Sequence, residues 1–134
     1  MGAFTDFGKD LTIAWLFTTD SVTRPTSWEV ALHTDDPGDD GDLNEVDTGT
    51  EDADYTRQTV TFDSPVAGSG QCLNDLQVSW TAASGSPGYT VNWVTIWDVV
   101  ANEAIYKGQM NVPWVIAAND VNTLAIGKLV AGLI

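Results

Sequence analysis

Trp28-Glu-Val-Ala-Leu-His33, an acidic run from Asp35 to Asp54, and Tyr55-Thr-Arg-Gln-Thr-Val-Thr-Phe62 follow one another in this chain. Trp28, Val30 and Leu32 alternate with Glu29, Ala31 and His33, and Val60 and Phe62 alternate with Thr59 and Thr61. Alternation at period two marks a strand with one face in a core. Of the twenty residues from Asp35 to Asp54, ten are acidic, and Pro37, Gly38, Gly41 and Gly49 are interspersed. The stretch therefore reads as two strands of a β domain joined by a long, flexible, solvated acidic loop, residues 35–54.

The same period recurs further along. Leu76, Val78 and Trp80 alternate with Gln77 and Ser79, and Val121, Thr123 and Ala125 alternate with Leu124 and Ile126. Residues 91–99 are apolar on both phases, which predicts a central strand buried on both faces. Ala104–Gly108 and Val112–Ile116 read as two shorter strands. Turn clusters such as Gly68-Ser-Gly70, Ser84-Gly-Ser-Pro-Gly88 and Ala101-Asn102 separate these segments. The expectation is an all-β fold, an antiparallel, jelly-roll-like β-sandwich. One short N-terminal α-helix is added at residues 4–17, where Phe4, Phe7, Leu11, Ala14 and Trp15 recur at helical spacing. Thr5 or Asp6 can cap its start, and Gly8 weakens it by about 1 kcal/mol relative to Ala. Residues 128–134 form an apolar tail, expected to pair as a terminal strand or to reach a neighbouring subunit.

The 134 residues suit a single domain, 1–134. Nineteen acids stand against five bases, a net charge of −14. That balance disfavours nucleic acid and anionic membranes, since both need Lys and Arg. No apolar run approaches the length of a membrane span, and the N-terminus does not read as a signal peptide. Cys72, the only cysteine, allows no intrachain disulfide.

Enzymatic chemistry finds little support. His33 is the only histidine, no serine sits in a nucleophile elbow, and Cys72 has no cationic neighbour in sequence. Glu29, Asp98 and Glu103 are strand carboxylates with no spacing that makes them converge, and Asp98 is expected to start the turn toward Ala101-Asn102. The reading is therefore non-enzymatic. Asp36, Asp40 and Asp47 fall in an EF-hand-like frame and could hold Ca²⁺ in an irregular site, but Gly38 occupies a ligand position and no helices flank the frame. A solvated loop with no cofactor is the stronger expectation. Among the tryptophans, Trp93 and Trp97 share a strand face and are expected to pack together, while Trp28 and Trp114 are candidates for an interface. An amphipathic helix and an apolar tail are hard for a small sandwich to bury alone. They make Phe4, Phe7, Leu11, Trp15, Leu129, Leu133 and Ile134 the other interface candidates, and a homo-oligomer the expected state.

The order of elements resembles a family of small tailed-bacteriophage virion proteins, often labelled tail fibre or minor tail proteins. The resemblance rests on Leu32-His-Thr-Asp-Asp-Pro37, Tyr55-Thr-Arg-Gln-Thr-Val-Thr-Phe62, Ile96-Trp-Asp98, Ile105-Tyr-Lys-Gly108 and Val115-Ile-Ala-Ala-Asn-Asp-Val-Asn-Thr-Leu124. Asn119 stands where that pattern has Gly, and the acidic loop is longer than usual. The resemblance implies a virion structural protein, assembled in the host cytoplasm and bound to major capsid or tail proteins. Its leading expectation is a capsid decoration (cement) protein. Its alternative is a tail or tail-fibre component that binds host-surface glycans, with Ca²⁺ as the candidate cofactor.

Overall fold

The computed structural model describes residues 2–132. The chain runs through β1 (Gly2–Phe4), α1 (Asp6–Phe17), β2 (Trp28–His33), β3 (Gln58–Val60) and β4 (Gln71–Leu73). It continues through β5 (Val78–Thr81), β6 (Tyr89–Asp98), β7 (Glu103–Ile116), β8 (Val121–Leu124) and β9 (Val130–Gly132). A five-stranded sheet has the order β1-β7-β6-β2-β3, and two ribbons, β4-β9 and β5-β8, complete the β structure. All pairings are antiparallel. The fold is thus all-β with one N-terminal helix, and its second layer consists of two separate ribbons.

The main core lies between sheet and ribbons. Val30, Leu32, Val94, Ile96 and Tyr106 point from the sheet, and Val78, Trp80, Leu124 and Leu129 answer from the ribbons and the segment before β9. The sheet's other face is buried as well, as residues 91–99 suggest. In β2 the burial extends to both phases: Val30, Ala31, Leu32 and His33 are all inaccessible. Small residues line that second face, Ala31, Thr95 and Ala104, so that the backbone of the acidic loop can lie directly on it.

Three boundaries differ from the sequence reading. The helix begins at Asp6, not residue 4, because Thr5 is its cap: its hydroxyl accepts from the Gly8 N–H at 3.2 Å and donates to the Ala104 carbonyl. Gly2–Phe4 is instead an edge strand on β7, and the Phe4 ring meets Tyr106 edge-on at 5.3 Å. The two short strands expected at 104–108 and 112–116 are one strand, β7. Its register on β6 jumps from Gln109, opposite Trp93, to Trp114, opposite Val91. Residues 110–113 therefore bulge outward, and Pro113 sits in the bulge, where no ladder donor is needed.

The tail pairs as the terminal strand β9 on β4. The Tyr106 hydroxyl donates to the Gly132 carbonyl at 3.1 Å, and the same ring lies against Gly2, so the first and last described strands meet over one side chain. Asn119 adopts φ 64°, the conformation a glycine at that place would supply.

Candidate functional site

The acidic loop is a fitted cover for the second face of the sheet. Residues 44–46 prolong the sheet along β2 past the end of β3: Val46 N–H donates to the Leu32 carbonyl, Thr34 N–H donates to the Asn44 carbonyl, and Glu45 bridges to His33. Gly41, at φ 79°, lies so close to Ala104 that a Cβ there would come within 2.6 Å of the alanine's. Pro37, Val46 and Asp52 are buried beneath the exposed carboxylates. Asp52 accepts from the Ala83 N–H at 3.0 Å and the Tyr89 hydroxyl at 2.9 Å, and burial, helped by this hydrogen bond and the Asp52 charge, drives the Tyr89 pKa up.

One charge network fastens the cover. Arg57 makes two parallel bonds to Glu45, at 2.9 and 2.7 Å, and its guanidinium stacks 3.5 Å above the Trp97 ring. The Tyr55 hydroxyl donates to Glu45 at 2.9 Å and accepts the Leu32 N–H at 2.9 Å, satisfying a strand donor that β3 is too short to reach. Burial opposes the charge on Glu45, yet Arg57 and Tyr55 outweigh it and hold the carboxyl below its ordinary range. Burial likewise works against Arg57, and Glu45 more than offsets it. A second tether is Lys107, which donates to the Gly38 carbonyl at 2.8 Å, reaches the Asp36 and Asp39 carboxylates, and lies over the Trp93 ring.

Several of the residues singled out in the sequence take part in this arrangement or lie beside it. Asp36 accepts from Gly38 N–H and Lys107, and Asp47 from Gly49 N–H and the Thr50 hydroxyl. Among the described residues no three His, Cys, Asp or Glu side chains gather as a ligand set, so Asp36, Asp40 and Asp47 are not brought together. Asp98 caps its turn, accepting from the Val100 and Ala101 N–H groups. Trp93 and Trp97 share a face without stacking on each other: Thr95 stands between them, and each ring carries a cation. Trp80 is buried against half-buried Trp114. His33 is fully buried, its Nδ1 2.7 Å from the Leu43 carbonyl and its Nε2 2.8 Å from the Thr95 hydroxyl.

Large apolar side chains are exposed at several places, Val112, Val115, Val121 and Ile126 among them, and four others follow closely on one another along an arm. In α1 the only buried residue is Gly8, where the helix rests on the Ile105 carbonyl of β7. Beyond that contact, Ile13, Trp15, Leu16 and Phe17 are 55, 66, 53 and 76 % exposed. Residues 18–27 return along the helix, and between the two lies a groove of about 410 Å³ lined by Leu11, Trp15, Leu16, Val22, Arg24 and Pro25.

Of the interface candidates, Trp15 is on this open surface and half-buried Leu11 is in the groove. Phe4 packs on the core beside Tyr106, Phe7 is half-buried, and Trp28 stands edge-on to Phe62 at 6.2 Å. Leu129, 7 % exposed, is a core residue, because the apolar character of its segment serves the ribbon β4-β9. Leu133 and Ile134 lie outside the described residues. Ile13, Leu16 and Phe17 escape a reading by periodicity, which looks for one stripe. Their signal is the unbroken run Ile13-Ala-Trp-Leu-Phe17: five consecutive apolar residues go right round a helix and need cover on every side.

No helix among the described residues is long and apolar enough to cross a membrane. No curated protein matches the sequence. A family model does, over residues 3–132: podophage GP4 fiber I protein gp80. That span takes in the edge strand, the arm, the fastened acidic cover and both ribbons, and the chain accordingly belongs to this family of tailed-phage virion structural proteins.

Proposed function

We propose that this chain is a non-enzymatic subunit of a tail fibre, and that the arm is its attachment surface to other virion proteins. The observation that carries the attachment role is the exposure of four large apolar side chains at the far end of a helix that rests on the domain through its first turns, with Gly8 against β7. Apolar patches of this kind mark protein contact sites. The polar network under the acidic loop is internally satisfied, so His33, Glu45, Tyr55 and Arg57 serve the fold. Fibre is favoured over capsid decoration because the matching family is described as a fibre protein.

Cryo-electron microscopy of the phage particle, with the chain tagged for identification, tests the placement. Density along the tail fibres is the expected result. Density over capsomer junctions would replace this reading with decoration, and absence from the particle would remove both.

A further inference from the structure

We propose that the arm docks on the same arm of a second copy of this chain. The inference rests on the reading of the arm as an attachment surface and names its partner. Three features carry it. The first is area. Ile13, Leu16 and Phe17 fall within about 100° of one another round the helix and leave on the order of 350 Å² of apolar surface open per copy, so two copies meeting there would remove about 700 Å² from water through these side chains alone, most of the roughly 1,000 Å² a specific interface needs.

The second is charge. At −14 per chain, two copies repel one another unless they meet where the charge is absent. Residues 11–27 hold one acid, Asp20, and one base, Arg24. The helix abuts the acidic loop only at its start, where Asp6 N–H donates to the Asp39 carbonyl. Its twelve residues place the apolar end about 18 Å away, beyond a Debye length of about 8 Å at physiological salt. The third is shape. Phe17 is a protruding side chain, and the groove lined by Leu11, Trp15, Leu16, Val22 and Pro25 is a recess that Leu16 borders at the same end of the helix. A two-fold contact needs a surface that complements itself, with each copy's projection entering the other's recess.

Sedimentation equilibrium of the purified full chain across the micromolar range tests this. The expected result is reversible self-association that Phe17→Glu and Leu16→Glu each weaken by at least about tenfold, as central contacts do. Val66→Glu, at an equally exposed position on the β3–β4 connection, should leave it unchanged. Circular dichroism verifies that each variant is folded, and Ile13→Glu gives a third probe on the same surface. A wild-type chain that stays monomeric overturns the proposal, as does an oligomer indifferent to all three arm variants. A chain monomeric in solution yet found in fibres would sink self-docking alone and leave the fibre placement standing.

Discussion

His33 shows how much one side chain can hold. The Leu43 carbonyl can only accept, so Nδ1 carries the proton, and Trp97 Nε1 donates to the Thr95 hydroxyl, leaving that hydroxyl to donate to Nε2. Every site is filled for the neutral ring. Burial lowers its pKa, and the nearby charges of Glu45 and Asp42, which favour protonation, and Arg57, which opposes it, do not reverse this. The unfolded chain takes up a proton near 6.5 while the fold resists it, so stability is complete above about that pH and declines as pH falls below it. The thermal midpoint should drop through this window. In His33→Asn the drop should flatten even though the variant is less stable throughout; an unchanged pH slope would refute the role. Arg57 makes a second case. Arg57→Ala leaves Glu45 half-buried without its cation and uncovers Trp97, which should cost about 1–3 kcal/mol by urea unfolding, a buried-pair figure discounted for a pair about a quarter exposed. Arg57→Lys should recover little of it, because a point charge replaces neither the paired bonds nor the flat stack.

Among the elements, α1 reverses an ordinary rule. Ala is the better helix former by about 1 kcal/mol, so Gly8→Ala would stabilise an isolated helix. Here the added Cβ would run into the Ile105 carbonyl and touch Phe4. A net loss of about 1–2 kcal/mol in chemical denaturation is expected, since overpacking of this kind outweighs the propensity gain. The glycine that weakens the helix in a reading of the sequence is thus what lets it dock. The sequence makes the strong strands legible, β2, β5, β6 and β8, because their side chains alternate or saturate both phases. It also places the helix to within two residues at its start. Gly2–Phe4 carries too little pattern to separate strand from helix, and only the Thr5 cap decides it. The β7 bulge makes one strand look like two. The acidic loop misleads most: ten carboxylates suggest full solvation, while Pro37, Gly41, Val46 and Asp52 do the covering from positions that composition does not weigh. Of the site, Trp15 and Leu11 were visible as one stripe; the rest of the arm's surface was hidden because a helix apolar all round has no period to detect.

For the whole molecule, charge is the first consideration. Nineteen acids against five bases load the native state with self-repulsion, and ten of the acids are concentrated on one cover. Added sodium chloride should therefore raise the thermal midpoint from its low-salt value, while the half-buried Arg57–Glu45 pair, less open to screening, keeps its contribution. A midpoint that falls with salt would mean that attractive pairs dominate instead. A different property follows from Tyr106, whose ring covers Gly2 and whose hydroxyl holds Gly132. Because β1 and β9 meet there, the first and last described strands lie side by side. A short linker joining the two strands, with a new opening in the exposed stretch 66–70, would give a circular permutant with every strand pairing intact. Among the described strands, the fold closes on itself through this one tyrosine.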